Sequence, residues 1–224
     1  DSKNHEKLTP KEIIAVSSQV GASKIALELG YEELRRNYYN FGFTKPISIN
    51  FPSSTFGYMN IKESISDSEL ASLGYGYGIT MSPFQIASAY SVFANSGEYK
   101  DFQLLKNEQV TSRKIISNYA ASNVLDALRK VVKDGTGKAA EIRGFSEGGK
   151  TGTVHKIKNG TGYAEDSYRA SFIGITPLSD KSLTIFVSID EPGLNSYTGG
   201  SVAAPVFAKI AESSLNHLGY FEDE

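Results

Sequence analysis

The sequence predicts an α+β, or mixed α/β, protein built around an antiparallel sheet. Apolar residues recur at helical spacing through most of the first 133 residues. Beyond Gly137 the apolar spacing changes to the two-residue period of β-strands. A final helix rich in small residues is suited to close packing on that sheet. Helices, then strands, then a covering helix is the element order of such folds.

The first two helices are predicted between Thr9 and Gly30, with a break at residues 17–19. Thr9 and Glu12 have the spacing of a capping box, and Pro10 follows at the first helical position. Gly30 is expected to end the second helix, because glycine readily adopts the left-handed conformation that terminates helices.

The next segment is predicted to be a loop followed by a helix. Residues 41–70 contain three turns marked by proline and glycine and show little periodicity, so we expect a loop region. Ser82 and Pro83 then form a helix start, and the helix is expected over residues 84–95. Its predicted buried stripe consists of Phe84, Ile86, Ala87, Tyr90, Phe93 and Ala94.

The second half is predicted to contain two helices that flank three strands. The first helix runs over residues 118–132 and ends at Asp134-Gly-Thr-Gly137. A polar excursion over 156–169 is expected between the first two strands, and the last helix over 202–218. The strands are predicted at residues 147–155, 170–175 and 182–190.

Composition limits the classes of function. The chain has 224 residues, 40% of them hydrophobic and 21% charged, as in ordinary folded domains. Its net charge of −2 provides no basis for nucleic-acid binding. It has no cysteine and three scattered histidines, so we expect neither a metal site nor a cofactor. No apolar run approaches the ~18 residues that span a bilayer.

The most informative short pattern is Gly-Gly-Lys-Thr-Gly-Thr at residues 148–153, on the first predicted strand. A cation and two hydroxyls can bind a carboxylate, and a glycine among them lets a substrate lie against the strand edge. Taken alone, the pattern is better explained as a glycine-rich turn into an edge strand with a surface lysine. Lys-Thr-Gly is also one of three elements of penicillin-interacting serine enzymes, with a Ser-x-x-Lys nucleophile and a Ser-x-Asn-type element.

Four stretches, in the family's order, resemble the C-terminal half of the transpeptidase domain of class B penicillin-binding proteins, most closely the septal kind. They are Ser-Ser-Gln-Val-Gly from residue 17, Gly-Tyr-Gly to Ala at 74–87, Gly-Thr-Gly to Gly-Lys-Thr-Gly-Thr at 135–153, and Tyr-Thr-Gly-Gly to Pro-Val-Phe at 197–207. Two departures stand out. Gln19 replaces an asparagine of the family, and the chain contains no Ser-x-x-Lys.

The resemblance implies that residues 1–224 are the C-terminal portion of one transpeptidase domain of the penicillin-binding and β-lactamase-like fold. The helical lobe is expected at about 9–133 and the strand region with the last helix at about 147–218. The Ser-x-x-Lys helix is expected to precede residue 1, so this part of the fold is incomplete by itself.

The implied activity is peptidoglycan cross-linking at the division septum, with no cofactor. In such enzymes a serine attacks the carbonyl of a D-alanyl-D-alanine stem peptide, and the acyl group passes to an amine on a neighbouring strand. A β-lactam antibiotic leaves a slowly hydrolysed ester instead. The resemblance further implies a single-pass anchor outside this chain, a periplasmic position at the bacterial inner membrane, and divisome membrane proteins as partners. The chain alone is expected to be inactive.

The resemblance assigns catalytic roles to Ser17, Lys150 and Thr153. Ser17 would relay a proton between the lysine of the absent motif and the leaving nitrogen. Lys150 would place a positive charge at the substrate carboxylate and help to move a proton. The backbone N–H of Thr153 would form half of an oxyanion hole, typically worth ~3 kcal/mol. Ser17 and Lys150 are therefore expected to line one cleft.

Substrate-binding roles follow for Gln19, Thr151, Gly152, Tyr197 and Gly199. The Gln19 amide would contact the peptide carbonyl, and Thr151, with the side chain of Thr153, would donate to the carboxylate. Gly152 would permit close approach, while Tyr197 and Gly199 would shape the cleft beside the lysine.

Several of these residues also have a purely structural interpretation. From the residues alone, Ser17 is better explained as a helix-interrupting serine bonded to its own backbone. Gln19 keeps the amide chemistry of asparagine but extends its reach, which leaves its role open. Tyr197 and Gly199 also fit a turn before the last helix. For the whole protein, an elongation-type transpeptidase or a non-catalytic β-lactam sensor or divisome scaffold are the alternatives.

Overall fold

The computed structural model describes residues 1, 5–46, 56–106, 109–157, 162–179, 181–193 and 195–220. Its contacts form two compact units, residues 1–13 with 17–123 and residues 14–16 with 124–224. The helices are α1 (Pro10–Val16), α2 (Gln19–Leu29), α3 (Tyr31–Asn40), α4 (Asp67–Gly74), α5 (Pro83–Ala94), α6 (Asn118–Lys133) and α7 (Ala204–His217). The strands are β1 (Glu98–Lys100), β2 (Ser112–Lys114), β3 (Gly148–Ile157), β4 (Tyr163–Thr176) and β5 (Leu183–Asp190). Within the described ranges, no helix combines the length and apolar character needed to cross a bilayer.

The start of the first unit follows the sequence closely. The predicted capping box is present, because the Thr9 N–H donates to Glu12 Oε2 at 2.8 Å and the Glu12 N–H donates to Thr9 Oγ1 at 3.4 Å. The predicted break separates α1 from α2. Gly30 ends α2 with a φ of 78°, and its N–H donates to the Ala26 carbonyl.

Two helices of the first unit correct the sequence prediction. α3 is not predicted, because most of its residues are polar; i,i+3 ion pairs such as Arg35 with Glu32 at 2.7 Å lie on its surface. α4 begins inside the expected loop region, so the loop prediction is wrong for residues 67–70. A capping box of Ser66 and Glu69 starts this short helix. Residues 47–55 of the expected loop lie outside the described residues.

α5 starts where predicted but buries a different face. Ser82 caps it, with the Gln85 N–H donating to Ser82 Oγ at 3.3 Å. The buried residues of α5 are Gln85, Ser88, Ala89 and Val92, and Phe84 is 45% exposed. The predicted stripe of Phe84, Ile86, Ala87, Tyr90, Phe93 and Ala94 is therefore wrong, and apart from Phe84 its members are half-buried.

The hydrogen bonds of Gln85 explain why this face of α5 is buried. Its Oε1 accepts from the N–H groups of Gly57 at 2.6 Å and Ser82 at 2.9 Å. Its Nε2 donates to the carbonyls of Gly42, Phe43 and Lys45 at 3.0–3.2 Å. A buried amide that accepts from two backbone N–H groups and shares its two protons among three carbonyls is favoured over an apolar side chain that would leave these groups unpaired.

The second unit contains the predicted contiguous antiparallel sheet, in the order β3-β4-β5. β3 runs to Ile157 and β4 starts at Tyr163, so the predicted polar excursion is wrong for residues 156–157 and 163–169, which are strand. The ladder continues through Val154 opposite Arg169, and Lys156 forms ion pairs with Asp190 and Glu191. The sequence of residues 163–169 lacks apolar alternation, so the sequence pattern does not indicate this part of the strand. Residues 158–161 lie outside the described part.

α7 packs against β4 and β5 as expected from its small residues. A π-helical turn, Gly199–Ala203, leads into it, so the α-helix begins two residues later than predicted. The rings of Phe172 and Phe207 meet at 4.9 Å between centroids. The core of this unit consists of Val132, Ala140, Ile142, Phe172, Val187, Ala203, Ala204, Phe207 and Ala211.

Candidate active site

Lys150 lies on β3, the edge strand of the described sheet, opposite Ile173 of β4. The prediction that it lies in a strand is confirmed. Its side chain is half-buried, and its Nζ donates to the Thr151 carbonyl at 3.1 Å. Burial lowers the pKa of Lys150 from 10.5 to about 8, because an ammonium group loses hydration there. A partly dehydrated cation attracts an anion more strongly than one in bulk water does.

The rest of the β3 motif contacts two turns of the second unit. The Thr151 hydroxyl lies 2.8 Å from the hydroxyl of Thr136, in the turn after α6. Thr153 Oγ1 accepts the N–H of Gly199 at 3.0 Å. A Cβ added to Gly152 would lie 2.6 Å from the hydroxyl oxygen of Ser171, the residue opposite it on β4. The motif and the turn that begins α7 thus form one surface.

Gly199 is buried where this turn crosses the strand. A Cβ on Gly199 would lie 2.2 Å from the Ser171 carbonyl oxygen and 2.5 Å from that of Gly152. No side chain fits between such atoms without movement of the backbone. The glycine therefore sets how closely the turn approaches β3.

Tyr197 is 37% exposed beside this turn and belongs to a stack of three rings. Its ring lies 4.2 Å from that of Tyr168 at 23°, and Tyr168 lies 4.2 Å from His155 at 51°. Offset rings at such distances attract each other beyond the area that they bury. The stack ties the segment before α7 to β3 and β4.

Ser17 and Gln19 lie in the first unit, at the junction of α1 and α2. Ser17 is exposed and has a φ of 60°, a left-handed conformation that is unusual for a residue other than glycine. Ser18, not Ser17, caps α2 by accepting the Gly21 N–H at 3.0 Å. Gln19 is the first residue of α2, and its N–H donates to Asp1 Oδ1 at 2.8 Å.

The second unit thus brings together Lys150, Thr151, Gly152, Thr153 and Gly199, with Tyr197 beside them. The expected shared cleft of Ser17 and Lys150 stays a prediction. Sequence reasoning assigns no role to Thr136 or Tyr168. The signal for Thr136 was present in the Gly-Thr-Gly motif at residues 135–137, whereas a ring stack across two strands leaves no signal in one sequence.

The sequence of the chain matches a protein-family model. The model of the penicillin binding protein transpeptidase domain matches residues 1–212. The chain belongs to this family. The resemblance inferred from four stretches of the sequence is confirmed, and the mixed α/β fold with its antiparallel sheet is that of penicillin-binding protein transpeptidase domains.

Three relatives show the extent of the similarity. The chain is 36% identical over 220 residues to the probable peptidoglycan D,D-transpeptidase PbpC of Pseudomonas aeruginosa, covering 97% of this chain and 39% of the relative. It is 33% identical to the peptidoglycan D,D-transpeptidase FtsI of Buchnera aphidicola, with the same two coverages. The TP domain of penicillin-binding protein 3 from Burkholderia pseudomallei superposes with a TM-score of 0.88 at 33% identity, over 97% of this chain and 66% of that domain. The chain therefore spans well under half the length of these curated relatives.

The lowered pKa of Lys150 is testable by a titration of this chain. An NMR titration that follows the Lys150 ¹³Cε signal is expected to show a midpoint near pH 8. Between pH 8 and 10.5 the unfolded chain binds more protons than the folded one, so the contribution of Lys150 to stability rises with pH there. Lys156, which is ion-paired on the same strand, is the internal control and titrates higher. A Lys150 midpoint near 10.5 contradicts the prediction.

Proposed function

We propose that the full-length protein is a serine-type peptidoglycan D,D-transpeptidase that acts on the D-alanyl-D-alanine end of a stem peptide. The observation that carries the proposal is the partly dehydrated Lys150 cation on an edge strand, flanked by the hydroxyls of Thr151 and Thr153. A terminal carboxylate is the group that such a set of donors recognises. An edge strand also presents its backbone to an extended peptide.

In the proposed reaction, this chain supplies the half of the site that binds the leaving end of the substrate. A serine from a Ser-x-x-Lys motif attacks the carbonyl of the penultimate D-alanine, and the bond to the terminal D-alanine breaks. The Thr153 N–H stabilises the oxyanion, and Ser17 delivers the proton to the leaving amine. An amine of a second stem peptide then attacks the ester and releases the serine. Gln19 holds the peptide, while Gly152, Tyr197 and Gly199 shape the cleft.

The same chemistry accounts for inhibition by β-lactams. A penicillin carries a carboxylate near a strained amide, which places the same two groups before the lysine and the serine. Attack opens the ring, and the leaving nitrogen stays attached, so the ester persists. The family's name as a penicillin-binding domain supports this part of the proposal.

The cellular role is proposed to be cross-linking at the division septum. The 33% identity to a peptidoglycan D,D-transpeptidase FtsI supports it. In this proposal, residues 1–224 form the C-terminal portion of one transpeptidase domain, anchored by a single-pass segment on the periplasmic side of the inner membrane. Divisome membrane proteins are the proposed partners.

The first test is covalent labelling with a fluorescent penicillin. The full-length protein is expected to give one label per molecule that survives denaturation and is blocked by excess unlabelled penicillin. The present chain alone is expected to stay unlabelled, because it contains no Ser-x-x-Lys to supply the nucleophile and its base. A label on the chain alone would show that another residue is acylated. An unlabelled full-length protein would favour a module that does not acylate, such as a scaffold.

A further inference from the structure

The turn Gly135-Thr136-Gly137 is part of a motif noted in the sequence, but it has no role in the function proposed above. It follows α6 and precedes a 3₁₀ helix, Lys138–Ala140. Its central hydroxyl, Thr136 Oγ1, lies 2.8 Å from Thr151 Oγ1 on β3. This is a hydrogen-bond distance between two hydroxyls, one of which belongs to the proposed carboxylate-binding set.

The backbone of this turn has little freedom to move away from β3. The Gly137 N–H donates to the Val131 carbonyl at 3.0 Å, which fixes the turn to the end of α6. A Cβ on Gly137 would lie 3.1 Å from Val131 Cγ1, and one on Gly200 would lie 2.4 Å from the Thr136 carbonyl oxygen. Glycines at these two positions let the turn sit between α6 and the start of α7. Thr136 is thereby held against Thr151.

The chemistry of two paired hydroxyls depends on which of them donates. Each hydroxyl has one proton and two lone pairs, and a carboxylate accepts only. If Thr151 donated to Thr136, its proton would no longer be available to a substrate. If Thr136 donates instead, the Thr151 proton turns toward the carboxylate, and the chain of two hydrogen bonds is strengthened by mutual polarisation.

We propose that Thr136 is a positioning residue that donates to Thr151 and so directs the Thr151 proton to the substrate carboxylate. Thr136 itself does not touch the substrate. The inference rests on the proposed function and deepens it, because it assigns a task to a turn outside the Lys-Thr-Gly strand. The glycine at position 200 is consistent with this role, because a Cβ there would lie 2.4 Å from the Thr136 carbonyl oxygen and would displace the turn.

The test compares acylation rate constants of the full-length protein with a penicillin. Thr136→Val keeps the shape of the side chain and removes the hydroxyl, and it is expected to slow acylation about fivefold, or ~1 kcal/mol at 1.36 kcal/mol per decade. Thr136→Ser restores the hydroxyl and is expected to restore most of the rate. The matched control is Thr184→Val on β5, which β4 separates from β3 in the sheet and which is expected to leave the rate unchanged.

A double-mutant cycle separates positioning from a general effect on folding. In a Thr151→Val background, Thr136→Val is expected to cost nothing further, because the hydroxyl that it directs is gone. The inference is overturned if Thr136→Val slows acylation equally in both backgrounds. It is also overturned if the Thr136→Val protein is acylated at the wild-type rate. A wild-type protein that no penicillin acylates overturns the proposed function, and this inference with it. Thermal melting of each variant confirms that it is folded.

Discussion

Lys150→Ala is expected to slow acylation of the full-length protein by a penicillin by roughly 30- to several-thousand-fold. Loss of a cation that faces a carboxylate in a dehydrated site typically costs ~2–5 kcal/mol, at 1.36 kcal/mol per tenfold change in rate. The pKa of about 8 places Lys150 in such an environment. The measurement is the second-order acylation rate constant, with thermal melting as the folding control.

Two further variants test whether the effect depends on the charge and the position of Lys150. Lys150→Arg keeps the charge but spreads it over a wider planar group, so only partial rescue is expected. Lys156→Ala removes a lysine from the same strand, where its exposed ion pairs with Asp190 and Glu191 contribute little. The Lys156→Ala protein is expected to be acylated at the wild-type rate. If the Lys150→Ala protein were also acylated at that rate, Lys150 would have no part in binding the carboxylate.

Gln85→Leu is expected to lower the free energy of unfolding by ~3–5 kcal/mol, a large effect for one substitution, because breaking a buried hydrogen-bond network is among the few mechanisms that reach it. Gln85 is 1% exposed and serves two N–H groups and three carbonyls. Leucine has a similar volume, so the loss measures the unpaired groups more than a cavity. Chemical denaturation of the chain, followed by circular dichroism, gives the value.

Gln85→Glu provides the matched variant for the same site. The introduced carboxylate keeps the two accepted hydrogen bonds but faces three carbonyl oxygens, so burial and repulsion favour its protonated form. The folded state then binds a proton more tightly than the unfolded state, and the stability deficit is expected to shrink as the pH falls from 7.5 toward 5. A deficit for Gln85→Leu below ~1 kcal/mol would show that the five backbone groups find other partners.

Local rules in the sequence determined much of the fold. The Thr9 capping box, the Ser82 cap and Gly30 mark helix ends through bonds between residues close in the chain, so the sequence contains the complete signal. The alternation in 183–190 and the alanines of α7 likewise define a sheet and the helix that covers it. The Lys-Thr-Gly strand was predictable for the same reason, because its motif is contiguous.

Tertiary structure alone decided which face of α5 is buried and where β4 begins. The burial of Gln85 depends on carbonyls some forty residues earlier in the chain, so helical spacing of apolar residues pointed to the wrong face. The first half of β4 shows no apolar alternation in its sequence, and its Arg169 donates to Asp190 on β5. In both places hydrogen bonds between distant segments outweigh the local pattern.

Part of the candidate site was likewise predictable from the sequence, and part was determined only by the tertiary structure. Residue types at 150–153 pointed to a carboxylate-binding strand from the sequence alone. The contact of Thr136 with Thr151, the stack of Tyr197 on Tyr168 and the approach of Gly199 to β3 join segments far apart in sequence. A single sequence records which donors exist, but their distances and burial, and hence the lowered pKa of Lys150, arise only when the chain has folded.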